Sequence, residues 1–157
     1  ELVNFSNNKK NDTFRAKKIG IVYQQNNLLS DFTALENVYL ANLSINNDKD
    51  LARTRAIDLL KKIGLSNRLN HFPSQLSGGE CQRVAIARAI INDPETILAD
   101  EPTGSLDLNT AKEIFQLLNN QKKSNRLIIF ATHNRFFANK ADCLLEMTNG
   151  SVKTINA

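Results

Sequence analysis

Apolar positions recur along this chain with two different periods. Ile19-Gly20-Ile21-Val22-Tyr23, Thr96-Ile97-Leu98-Ala99 and residues 126–131 are short apolar runs, each ending in polar residues. Runs of this length predict buried strands of a parallel sheet. Between the first and second runs the spacing is helical. Thr33-Ala34-Leu35-Glu36 fits a capping box and opens a helix through about Leu43. Asp50 is the expected cap of the next helix, whose Ile57, Leu60 and Ile63 share one face and which stops at Gly64. Val84, Ala87, Ile90 and Ile91 mark a third helix, broken at Asp93-Pro94. Residues 107–121 predict another amphipathic helix, with Ile114, Leu117 and Leu118 inward. Asn149-Gly150, between two short runs at 143–147 and 151–155, is a hairpin signal. The stretch up to residue 15 is polar, with Asn7-Asn8 and Asn11-Asp12 as turn signals.

Strands separated by helices imply an α/β domain around a parallel sheet. Residues 1–25 and 92–157 supply the α/β core of this reading, and residues 26–91 an inserted helical subdomain. In such sheets ligands sit at the carboxyl ends of the strands. Gln24, Asp100 with Glu101, and His133 all fall at those ends.

Composition narrows the class. The 157 residues suffice for one domain, and 41% hydrophobic with 23% charged residues is ordinary for a globular chain. No apolar run approaches the roughly 20 residues that cross a bilayer, and the first ten residues carry no signal-peptide core. The expectation is a cytoplasmic chain that meets a membrane only through a partner. The net charge of +4 would permit nucleic acid. However, Lys17, Lys18, Lys61, Lys62, Lys122 and Lys123 are scattered over helix ends and loops, so no nucleic-acid partner is expected. Cys81 and Cys143 lack CxxC spacing and both histidines are isolated, which argues for reduced thiols and against zinc.

Several groups could carry chemistry, each with a plainer alternative. Asp100 and Glu101, after an apolar strand, could hold Mg²⁺ and orient a water, or form a solvated turn before Pro102. Ser77-Gly78-Gly79-Glu80 could present backbone amides and a hydroxyl to a phosphate at a helix start, or be only a capping box. Two consecutive glycines cost helix stability, which a plain cap does not require. His133 could touch a phosphate oxygen or simply occupy a turn. Gln24 could ligate a metal or face solvent.

The order of these elements resembles the ATP-binding subunits of ABC transporters over essentially the whole chain. Tyr23-Gln24 resembles the Q-loop. Leu76-Ser77-Gly78-Gly79-Glu80, continued by Gln82-Arg83-Val84-Ala85-Ile86-Ala87-Arg88-Ala89, matches the signature. Residues 97–101 match Walker B with its glutamate, Gly104-Ser105-Leu106-Asp107 resembles the D-loop, and His133 the switch histidine. Asp31-Phe32-Thr33-Ala34-Leu35-Glu36-Asn37-Val38 and Ala99-Asp100-Glu101-Pro102-Thr103-Gly104 are similar to the branch of lipoprotein-release, macrolide-export and FtsE-like ATPases. Residues 145–150 lean towards lipoprotein release. Ser105 and Asn134 stand where Asn and Asp are commonest.

The resemblance implies a P-loop NTPase (RecA-like) fold and ATP and Mg²⁺ as cofactors. It also implies a head-to-tail homodimer and integral-membrane partners at the inner membrane. Glu101 and His133 would be catalytic. Gln24, Ser77, Gly78, Gly79, Glu80, Asp100 and Asp107 would bind ATP, with Gln24 and Asp100 also serving the metal. One departure stands out: none of the six glycines opens a GxxxxGK[ST] pattern. The expectation is therefore a fold incomplete at its N-terminus, a fragment inactive alone, completed by a P-loop encoded upstream of Glu1. A non-catalytic remnant or regulatory half that lends its signature to a partner is the alternative. About fifty residues separate Gln24 from Leu76, too few for the long coiled-coil arm of a chromosome-maintenance ATPase.

Overall fold

Three parallel strands form the spine of the protein, seen in a computed structural model that describes residues 8–156. β1 (Ile19–Val22), β2 (Thr96–Asp100) and β3 (Leu127–Ala131) lie in the order β1-β2-β3, with Ile21 beside Leu98 and Leu98 beside Ile129. The helices are α1 (Asn8–Lys18), α2 (Ala34–Leu43), α3 (Lys49–Lys62), α4 (Gly78–Ile90), α5 (Leu108–Asn119) and the short α6 (Arg135–Ala138). β4 (Leu144–Thr148) and β5 (Ser151–Asn156) pair antiparallel as a separate hairpin. Its turn takes positive φ at Asn149 and Gly150, the conformation that Asn-Gly favours.

Local signals explain most boundaries. Thr33 and Glu36 form the expected capping box at α2. After α3, Gly64 takes φ +82° while the Leu65 N–H reaches back to the Leu60 carbonyl at 2.9 Å, closing the helix in the usual left-handed manner.

Three expectations need correction. The cap of α3 is Asp48, not Asp50: the Asp48 carboxylate accepts the Leu51 N–H at 2.9 Å. Asp50 instead sits in the first turn, where a carboxylate also suits the helix dipole. Asn11-Asp12 is not a turn but lies within α1, whose end is tied down by Asn92 Nδ2 donating to the Ala16 carbonyl at 2.9 Å. Long-range tethering here outweighs the mild helix reluctance of Asn and Asp. Asn7 of the other turn signal lies outside the described residues. Finally, the strands are buried on one face only. Val22, Ile97 and Ala99 are buried, but Ile21, Leu127 and Ile129 are 41%, 57% and 50% exposed. α4 and α5 pack on the side of the sheet that carries Val22, Ile97 and Ala99, and the side chains of Ile21, Leu127 and Ile129 lie on the other side.

Two apolar clusters result. One joins α2, α3 and α4 through Leu35, Val38, Leu60, Val84 and Ala87. The other joins the sheet to α4 and α5 through Val22, Ile86, Ile90, Ile97 and Ile114. α4 belongs to both. On the sheet side β1 runs close to α4: a Cβ on Gly20 would lie 2.3 Å from the Ala89 carbonyl oxygen, so β1 can approach α4 this nearly only with glycine there.

Candidate functional site

The register of the sheet decides which polar groups meet. Val22 lies beside Ala99 and Asp100 beside Ala131, so Gln24, Glu101 and Thr132 leave the strands along one edge. Gln24 is exposed, and its side-chain nitrogen approaches the loop after β2: a Cβ on Gly104 would be 3.3 Å from Gln24 Nε2. Asp100 ends β2 with its side chain exposed.

Glu101 is the most constrained residue of this edge. It takes φ +41°, unusual for a residue with a Cβ and costing about 1–3 kcal/mol. Its N–H donates to the Ala131 carbonyl at 2.9 Å, and its own carbonyl accepts the Gly104 N–H at 3.0 Å. The carboxylate turns towards the end of β3. Oε1 accepts the His133 backbone N–H at 2.6 Å and lies 2.7 Å from His133 Nδ1. Oε2 accepts the Thr132 hydroxyl at 3.1 Å. His133 remains 80% exposed at its side chain, whereas that of Glu101 is 18% exposed. An open cavity of about 210 Å³ lies beside the pair, lined also by Thr103, Gly104 and Leu106.

A second group gathers at the starts of α4 and α5. Ser77 caps α4: its Oγ accepts the Glu80 N–H at 3.2 Å, and Glu80 Oε2 accepts the Ser77 N–H at 2.8 Å. Glu80 Oε1 accepts Arg68 Nε at 2.8 Å. The Ser77 amide first, and Arg68 next, hold the Glu80 carboxyl below its ordinary value. Glu80 thus acts through the cap, with both oxygens committed inside the chain. Asp107 caps α5, accepting the Asn109 and Thr110 N–H groups at 3.0 and 3.1 Å; Thr110 is the main cause of its lowered pKa.

The two glycines differ in what surrounds them. A Cβ on Gly79 would fall 2.5 Å from Thr110 Cγ2, whereas one on Gly78 would meet only Leu106 Cδ2 at an ordinary 3.6 Å. Gly79 lets the first turns of α4 and α5 touch. Gly78 is exposed, and nothing in the described residues requires it to lack a side chain. Further along α4, Gln82 Nε2 donates to the Tyr23 carbonyl at 3.4 Å. Arg88 donates to the Asn26 and Asn27 carbonyls at 2.7 and 2.6 Å. Both sides of the Gln24 loop are therefore anchored to α4.

Of the residues singled out in the sequence, Gln24, Asp100, Glu101 and His133 line one sheet edge. Ser77, Gly78, Gly79, Glu80 and Asp107 form the group at the helix starts. Thr132, Arg68, Thr110 and Arg88 went unnoticed as partners of these groups. Only Thr132 carried a local signal, as a hydroxyl directly before His133 at a strand end. Among the described residues no three His, Cys, Asp or Glu side chains gather as a metal site. Asp100 and the Gln24 amide, both exposed at this edge, are the groups that could hold a Mg²⁺ ion.

Residues 2–104 match the family described as ABC transporter. A lipoprotein-releasing system ATP-binding protein, LolD 2 of Chlorobium chlorochromatii (strain CaD3), is 49% identical over 138 residues, covering 87% of this chain and 57% of that protein. The LolD protein of Cytophaga hutchinsonii is 42% identical over 153 residues, covering 97% of this chain and 70% of its relative. The chain spans between 57% and 61% of the length of the first such relatives. A dimeric ATP-binding cassette solved in a post-hydrolysis state with ADP and Pi superposes with a TM-score of 0.83 at 35% identity, over 98% of this chain and 70% of that one.

Proposed function

The chain belongs to the ABC transporter family, and from that footing we propose that its full gene product hydrolyses ATP to drive lipoprotein release through an integral-membrane partner. The observation that carries the reading is the Glu101 carboxylate, set one residue beyond Asp100 and joined to His133 across neighbouring strand ends. Such a group orients a water for in-line attack on a phosphoryl group. Asp100 and Gln24 hold the Mg²⁺ that screens the phosphates. His133, exposed beside the cavity, reaches the terminal phosphate.

Little covalent work falls to the protein in phosphoryl transfer; positioning and charge stabilisation dominate. The Ser77 hydroxyl and the backbone of Gly78 and Gly79 serve a nucleotide held chiefly by a second copy, in a head-to-tail dimer. The room at Gly78 supports this, since the chain itself does not need that glycine. Asp107 shapes the adjoining loop through its cap. Residues 26–91 face the membrane partner. No described helix is long and apolar enough to cross a membrane, and the site of action is the cytoplasmic face of the inner membrane. The dimeric neighbour with ADP and Pi and the names of the relatives support the same reading.

Glu101→Gln in the full gene product is the test. It should retain ATP binding and lose roughly 100-fold or more in turnover. Retained steady-state hydrolysis refutes the role. A wild-type product that dimerises but binds no ATP would instead be a non-catalytic half. Copurification with an integral-membrane protein tests the coupling.

A further inference from the structure

We propose that Thr132 is a positioning residue for Glu101 and that Oε2 is the carboxylate oxygen that engages the attacking water. The inference rests on the ATPase reading above.

An ionised carboxylate is a pure acceptor with about two lone-pair sites on each oxygen. Both sites on Oε1 are taken by His133, one by its backbone N–H at 2.6 Å and one by ring Nδ1 at 2.7 Å. In this contact ring Nδ1 carries a proton, because an ionised carboxylate has none to give. Oε2 has one donor, the Thr132 hydroxyl at 3.1 Å, and one site left. A water that Glu101 orients therefore binds Oε2, and Thr132 fixes where that last site points.

Thr132 is itself fixed. Its Oγ1 accepts the Asn134 N–H at 3.1 Å, which leaves the hydroxyl proton to Oε2. Asn134 in turn caps α6, its side chain accepting the Phe136 N–H at 3.0 Å. A run of hydrogen bonds thus leads from the start of α6 to the carboxylate. Without the hydroxyl, Oε2 gains a second open site and the carboxylate loses one of three restraints. A misplaced group of this kind costs rate far more than binding.

The experiment compares Thr132→Val, Thr132→Ser and Thr132→Ala in the full gene product, reading ATP binding, kcat, KM and the melting temperature. Thr132→Val should lower kcat roughly 10- to 100-fold, leaving KM and ATP affinity within about 2-fold and the fold intact. Thr132→Ser should restore kcat, because it keeps the donor. Thr132→Ala should match Thr132→Val and covers the case in which valine does not fit. In a Glu101→Gln background, Thr132→Val should change the residual rate little. A normal kcat in Thr132→Val and Thr132→Ala, a rise in KM alone, or no rescue by serine overturns the positioning role while the ATPase reading stands. A wild-type product that binds ATP without turnover overturns both.

Discussion

Gly79 and Thr110 meet across the first turns of α4 and α5, so closely that a single Cβ on the glycine would fall 2.5 Å from the threonine methyl. Threonine is stiff about χ1 and cannot swing its branch away freely. Gly79→Ala should therefore overpack the contact and destabilise by about 1–2 kcal/mol, after the gain in helix propensity is counted. Thr110→Ser, which removes the offending methyl, should recover most of that loss. Gly78→Ala should leave stability unchanged or slightly raised, because its Cβ meets only an ordinary contact. Denaturant melts of the three variants decide it. A Gly79→Ala melt equal to wild type would remove the steric role.

Glu80 links stability to pH with a definite sign. Its carboxyl is held below the ordinary value by the Ser77 amide and then by Arg68. The folded state thus binds this proton less readily than the unfolded chain. The stabilisation is complete above the unfolded carboxylate range, near pH ~4.3, and is lost as pH falls through the depressed folded value. Glu80→Gln keeps an acceptor for the cap but loses the charge, so the acid side of the stability profile should flatten. Near neutral pH the loss should be about 1 kcal/mol or less, since the pair is partly exposed. An unchanged acid limb in the variant counts against the linkage.

Arg88 offers a sharper contrast between two cations. Its guanidinium reaches two successive carbonyls, of Asn26 and Asn27, and Asn27 holds φ +47°. Lysine offers a point charge rather than a fork. Arg88→Lys should cost about 1–3 kcal/mol and speed amide exchange in residues 23–28 ahead of the rest of the chain. Exchange that rises evenly over the chain would show that the guanidinium does not specifically anchor this loop.

What the sequence made legible was mostly local. The Thr33 and Ser77 capping boxes, the Gly64 stop and the Asn149-Gly150 turn each depend on residues within a few positions, and each formed as read. The choice between Asp48 and Asp50 was a matter of two residues, and both satisfy the compositional preference for an acid there. Exposure of Leu127 and Ile129 could not be read from apolar content, because an apolar run shows the residues but not which face another element covers. The family motifs located Glu101 and His133 separately. That their side chains bond, and that Thr132 holds the other oxygen, depends on the alignment of β2 with β3 across 31 and 32 positions of chain.

α4 carries one further implication. Its 13 residues make a rod of about 20 Å. One flank is embedded in each apolar cluster, the Ser77 group rides on its tip, and the Gln24 loop is lashed to its shaft through Gln82 and Arg88. A closely packed rod does not bend to absorb a local push. A load on the tip therefore behaves as torque on an axle: it either swings the shaft, dragging the Gln24 loop along, or does nothing.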